Sequence, residues 1–153
     1  DTNAETTSGT MDAVSSTLIT VPDGSATDSP NRNIAWAFHS VEGYSKVGIY
    51  TGNANADGTF VYLGFRPKWF MLKANSTTDG WLIYDSAREP YNEDANADLV
   101  LYANNDPADA EYGNLDFLSN GVKIRINASA MNEAHTYIYL AFAETPFKYA
   151  NAR

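Results

Sequence analysis

The chain has 153 residues, 44% hydrophobic and 13% aromatic, with ten Tyr, seven Phe and three Trp, a content that disordered segments do not carry. Ten basic residues against nineteen acidic ones leave a net charge of −9 and a pI near 4.4, which argues against nucleic acid and anionic membranes as partners. The lack of cysteine excludes disulfide scaffolding, thiolate zinc sites and cysteine nucleophiles, and no stretch reaches the roughly 18 consecutive apolar residues of a membrane helix.

The opening Asp1-Thr2-Asn3-Ala4 has neither an initiator Met nor a signal-peptide core, so the chain reads as processed or as the back end of something longer. Short runs of β-branched and aromatic residues then alternate with Gly, Pro, Asn, Asp and Ser, which predicts an all-β, antiparallel sandwich or jelly-roll-like fold. About ten strands are expected, at 17–21, 33–39, 46–50, 59–63, 68–73, 80–85, 98–102, 115–118, 121–127 and 136–142.

Between the strands at 46–50 and 59–63, Asn53-Ala54-Asn55-Ala56-Asp57-Gly58 is similar to the first half of a calcium loop, whose alternating oxygens suit a hard cation. Position 1 is Asn and position 12 is Gly64 rather than a bidentate Glu, so a plain turn is the first reading. Asn53, Asn55 and Asp57 as Ca2+ ligands are the second, and no other cofactor is expected. Trp69 beside Phe70 reads as core. In Trp81-Leu82-Ile83-Tyr84-Asp85-Ser86-Ala87-Arg88, Asp85 and Arg88 are spaced to brace a turn, with Ser86 capping locally. The functional alternative is a sugar or receptor platform of Trp81, Asp85, Arg88 and Tyr91, because aromatic faces stack on sugar C–H groups while planar polar groups read hydroxyls. The acidic loop 93–98 is a second, weaker cation candidate.

Helical signal is confined to Asp106-Pro107-Ala108-Asp109-Ala110-Glu111, where an N-cap Asp, a Pro at the first helical position and early acids predict at most one turn. In Val122-Lys123-Ile124-Arg125-Ile126, aliphatics alternate with cations, the pattern of a sheet wet on one face. Tyr137-Ile138-Tyr139-Leu140-Ala141-Phe142 is apolar on both faces and predicts a central strand. Its tyrosines, together with Trp36 near the start, are candidates for contacts between subunits or repeats, with core packing the equal alternative.

The chain also repeats itself. A shift of 104 positions lays Met11-Asp12-Ala13-Val14-Ser15 on Leu115-Asp116-Phe117-Leu118-Ser119, Ser25-Ala26 on Ser129-Ala130, and Ile34-Ala35-Trp36-Ala37-Phe38 on Ile138-Tyr139-Leu140-Ala141-Phe142. Residues 1–40 therefore read as the closing half of a preceding unit, and 41–153 as one complete unit. Half a sandwich leaves an open edge, so the first segment is expected to pair with a neighbouring unit or chain.

The stretches Val41–Asn53, Gly64–Pro67, Tyr84–Asn92, Asp116–Gly121 and Ala141–Arg153 resemble an uncharacterised tandem β domain found at the C-terminal end of tail-fibre-like and structural virion proteins of marine tailed phages. The resemblance implies a tail-fibre-like or structural element of a phage particle, and homo-oligomers, trimers by analogy. It supplies no catalytic or binding residue.

Catalysis finds little to work with. Only His39 and His135 are available as bases, no Gly-x-Ser-x-Gly elbow exists, and nineteen acids make carboxylate pairs too common to discriminate a glycosidase. The expectation is a non-enzymatic surface module of a phage particle, partnered by itself, by other virion proteins and by a host-surface glycan or protein. A glycan-degrading tailspike hydrolase and a purely architectural capsid decoration protein are the alternatives.

Overall fold

The computed structural model describes residues 13–20, 36–92, 98–104 and 110–146. The chain divides into two compact units, Glu5–Phe38 and, joined by Asp1–Ala4, His39–Arg153. In the smaller unit β1 (Ala13–Val14) and β2 (Ile19–Thr20) form an antiparallel hairpin with Ala13 opposite Thr20. Ser15 closes its loop, its Oγ accepting from the Leu18 N–H at 2.9 Å. Residues 36–39, expected to be strand, are not. Residues 33–35 lie outside the described residues.

Nine strands build the larger unit: β3 (Ser45–Thr51), β4 (Phe60–Tyr62), β5 (Pro67–Ala74), β6 (Leu82–Asp85), β7 (Leu99–Tyr102), β8 (Ala110–Glu111), β9 (Leu115–Leu118), β10 (Gly121–Ile124) and β11 (Thr136–Ala143). They form a three-stranded sheet in the order β4-β10-β9 and a six-stranded sheet in the order β3-β11-β5-β6-β7-β8, with every pair antiparallel. A single buried cluster draws on both sheets, with Val61, Phe117, Val122 and Ile124 on one side and Phe70, Leu72, Tyr84 and Tyr137 on the other. The fold is an all-β sandwich, as the spacing of turn residues predicts.

Alternation explains the elements. Along β10, Val122 and Ile124 are fully buried while Lys123 faces out and pairs with Asp57. The strand ends at Ile124 rather than 127, although one more bond, from the Arg125 N–H to the Asn114 carbonyl, continues the pairing with the β9 side in register. β11 is central, in register with β3 on one side and β5 on the other. The strand expected at 33–39 meets a local reason to stop at its end. The ladder beside β3 closes at a single bridge, Val41 to Ser45, and the Ser40 hydroxyl accepts from the edge N–H of Val47 at 3.1 Å in place of a backbone carbonyl. The helical turn expected over 106–111 is corrected at its end: Ala110–Glu111 is strand β8, paired with Val100 and Leu99, because an open sheet edge outweighs local capping signals. Residues 106–109 lie outside the described residues.

Candidate functional site

The loop from Gly52 to Thr59 is organised by a residue far away in sequence. Asn132, fully buried, accepts from the N–H groups of Asn53 and Thr59 (both 3.2 Å) and donates to Asn53 Oδ1 (2.8 Å) and the Asn55 carbonyl (2.7 Å). Within the loop Asn53 Oδ1 accepts from the Asn55 N–H and Asn55 Oδ1 from the Asp57 N–H, two successive Asx turns. Asp57 Oδ1 lies 2.6 Å from Lys123 Nζ, whose hydrogen bond and charge hold the carboxyl below its ordinary value. These are the bonds of the plain-turn reading: Asn53 Oδ1, Asn55 Oδ1 and Asp57 Oδ1, named as Ca2+ ligands, each accept from a protein donor, and the cation at the loop is the Lys123 ammonium. Gly58 permits the packing, since a Cβ there would lie 2.6 Å from the Ile124 carbonyl oxygen.

At the end of β6, Asp85 Oδ1 accepts from the N–H groups of Ala87 and Arg88 (3.0 Å each), and Oδ2 from Arg88 Nε at 2.6 Å. Burial works to raise the Asp85 carboxyl, but the hydrogen bonds and charge of Arg88 outweigh it and leave it below its ordinary value. Asp85 and Arg88 thus brace a turn. Ser86 does not cap it, because its hydroxyl is buried and finds no hydrogen-bond partner among the described residues. Of the proposed platform residues Asp85 and Arg88 are joined directly, while Trp81 stands just before β6, about 13 Å along the strand from Asp85 at the usual rise. Tyr91 lies beyond the turn, 72% exposed.

Tyr137 and Tyr139 are also corrected. They face the core, not a neighbour: Tyr137 stacks on Tyr50 at 4.9 Å and Tyr139 on Phe70 at 5.8 Å. Hydroxyls on this face end on backbone carbonyls, Tyr50 on Met131 (2.6 Å), Tyr84 on Tyr112 (2.7 Å) and Tyr137 on Ser129 (2.7 Å). Burial raises all three, Tyr137 to about 12. Trp36 is 80% exposed.

The other face of the six-stranded sheet is the unexpected one. Register places Val47, Leu140, Met71, Ile83 and Leu101 in one row across five strands, and Ile49, Ile138 and Lys73 in the next. Ile49 is 69% exposed, Val47 42%, Leu101 38% and Ile138 37%. Lys73, the only ionisable group in these two rows, is turned away from solvent, with Nζ donating to the carbonyls of Ala74 and Thr77 at 2.7 Å. Leu140, in the middle of the first row, is buried, and Met71 and Ile83 are half-buried, so the exposure is greatest at the β3 edge. Beside it, where edge strands β3 and β4 approach, Ser40, Glu42, Lys46, Tyr62 and Phe65 line a cleft of about 370 Å³. There the Lys46 ammonium lies 5.0 Å from the Tyr62 ring centre and donates to the Tyr62 carbonyl.

A family model described as Domain of unknown function (DUF7483) matches residues 1–146. The chain belongs to that family. No curated protein and no solved structure matches it.

Among the described residues two acid–base arrangements stand out, one at His135 and one at Asp98. His135 Nδ1 lies 3.3 Å from Ser76 Oγ, and its Nε2 is 3.6 Å from Glu133 Oε2, a serine, an imidazole and a carboxylate in line. That last distance exceeds a hydrogen bond and the carboxylate is half exposed, so nothing fixes the imidazole tautomer that a general base needs. Asp98 is the most perturbed carboxyl: burial, opposed by the Leu115 N–H that it accepts and reinforced by Glu89 and Asp116, pushes it up to about 6. Asp98 is buried. Sequence reading missed both Asn132, a polar residue in an unremarkable Met-Asn-Glu loop, and the apolar outer face. The signal for the latter was present in Val47, Ile49, Ile138 and Leu140, which fall on alternate positions of two expected strands.

Proposed function

We propose that the chain is a non-enzymatic structural module of the exterior of a phage particle, tail-fibre-like or decorating, that assembles with copies of itself and with other virion proteins and contributes to attachment at the host surface. The observation that carries the reading is the set of exposed aliphatic side chains Val47, Ile49, Ile138 and Leu101 on the outer face of the six-stranded sheet, a surface suited to assembly rather than to turnover. The family resemblance of the motifs from Val41 to Arg153 supports the particle setting. The cleft at Lys46 and Tyr62 pairs an exposed aromatic ring with a cation, which suits contact with a glycan or protein of the host.

Immunogold labelling of purified particles with antibody against the chain tests the location: gold on the exterior is expected, and unlabelled particles whose proteins lack the chain would refute it. A glycan array with a whole-cell binding assay tests attachment, and silence in both reduces the role to architecture. Release of reducing sugar from host polysaccharide would instead make the chain a hydrolase.

A further inference from the structure

We propose that the cleft between the turn at 41–45 and the connection at 62–65 binds a small neutral saccharide; the proposal deepens the attachment reading above and rests on it. Both walls are built before any ligand arrives. In the turn, the N–H groups of Tyr44 and Ser45 donate to the Val41 carbonyl, and the Val41 N–H donates to the Ser45 carbonyl, at 3.0 Å each. Across from it, the N–H groups of Leu63 and Gly64 both donate to the Asn120 carbonyl, at 2.9 and 3.1 Å. Each wall carries a glycine with left-handed backbone, Gly43 at φ 69° and Gly64 at φ 85°, so the chain bends tightly on both sides without a Cβ. A site held open by its own backbone bonds loses little free energy to ordering when it binds.

Neither wall suits a peptide. An added strand needs edge amides and carbonyls of β3 or β4, and at the cleft these are occupied. The Ser40 hydroxyl takes both the N–H and the carbonyl of Val47, at 3.1 and 3.3 Å, and the Lys46 ammonium donates to the Tyr62 carbonyl at 2.8 Å. What the cleft presents instead is side-chain chemistry. Lys46 stands over one face of the Tyr62 ring, 5.0 Å from its centre, and the 58% exposure of Tyr62 leaves the remainder of the ring to a ligand. The ammonium keeps two N–H donors after the carbonyl. Glu42, on the other wall, is exposed, and its carboxylate has no partner among the described residues.

An aromatic face, an acceptor carboxylate and a donor ammonium in one cleft match a ring of C–H bonds edged by hydroxyls, each of which both donates and accepts. Charge then chooses among sugars. Lys46 and Glu42 offset each other within the cleft and the chain carries −9, so an acidic sugar is repelled at long range and gains no unshared cation on arrival. A cationic ligand meets the Lys46 ammonium at the same ring. The volume, about 370 Å³, lies at the lower end for ligand pockets and keeps the ligand small.

Saturation-transfer NMR tests the proposal, with methyl glycosides of glucose, galactose, mannose and N-acetylglucosamine as neutral probes and glucuronic and N-acetylneuraminic acids as acidic ones, each at about 10 mM. At least one neutral glycoside is expected to bind. Tyr62→Ser and Glu42→Ala are expected to weaken it by about tenfold or more, and Tyr62→Phe and Tyr91→Ser, the latter at an exposed tyrosine outside the cleft, to leave it within about twofold. Glu42 and Tyr62 are exposed and lie on different segments, so a folding defect in one variant, read by circular dichroism, leaves the other to decide. Binding undiminished in both, binding lost in Tyr91→Ser instead, or a preference for the acidic sugars would overturn the proposal. Silence across the panel would do the same, and if wild type and Tyr62→Ser then bind host cells alike, attachment runs through another surface and that reading stands. Cell binding lost both with Tyr62→Ser and on protease treatment of the cells, with no sugar bound, would give the cleft to a protein and overturn the proposal alone. A chain that binds neither sugar nor cell would remove both.

Discussion

The two faces of the six-stranded sheet are built from the same strands and do opposite things. The inner face is aromatic and finished: Tyr50, Tyr84 and Tyr137 bury their rings and end their hydroxyls on carbonyls of the segment from Tyr112 to Met131. The outer face is aliphatic and exposed toward its edges, with Leu140 buried in the middle and no charged side chain in its main row from Val47 to Leu101. The difference separates residues that hold the unit together from residues free to meet something else.

Replacements on the two faces should therefore divide by effect. Phe70→Ala, at a fully buried position beside Tyr139, is expected to cost about 3–5 kcal/mol in denaturant unfolding, the largest loss, because the cavity has well-packed walls on both sheets. Asp98→Asn works in the opposite direction. The wild-type carboxyl is raised from 3.8 to about 6, so its contribution to stability is fully present below pH 3.8 and is lost as pH rises through 6. Asparagine retains an acceptor for the Leu115 N–H without the buried charge. The variant is expected to be more stable than wild type by roughly 2–3 kcal/mol at pH 8, with no advantage at pH 3.5, in unfolding curves taken at both values. Tyr84→Phe leaves the ring and removes one hydrogen bond to the Tyr112 carbonyl, for an expected loss of about 1 kcal/mol. Ile49→Thr on the outer face is expected to change stability by less than about 0.5 kcal/mol. A loss at Ile49 matching that at Phe70 would show that the outer face is part of the fold's own core.

Much of this architecture is legible in the sequence. The alternation of Val122, Lys123, Ile124 and Arg125 reports a half-wet strand, and the unbroken apolar run from Tyr137 to Phe142 reports a central one, since each depends on local period alone. Which face of β11 meets the core is not local. Both faces are apolar, and the tyrosines go inward onto rings far away in sequence, Tyr137 onto Tyr50 and Tyr139 onto Phe70. The loop 53–58 is ambiguous for a related reason: a chain of Asx turns and a cation loop both call for Asn or Asp at alternate positions, and only Asn132, 79 residues from Asn53, separates them. At 81–91 the sequence spacing predicts the brace of Asp85 and Arg88, three residues apart, which the structure joins at 2.6 Å.

The placement of β11 sets a timetable for folding. It occupies the slot between β3 and β5, so until residues 136–143 are present those two long strands each expose a full edge of unpaired amides and carbonyls. β5, β6, β7 and β8 follow one another as neighbours and can pair as they emerge, but the sheet acquires its middle last, from contacts nearly a hundred residues apart in sequence. A nascent or interrupted chain is consequently sticky at two edges, and the completed unit is protected by the strand that arrives at the end.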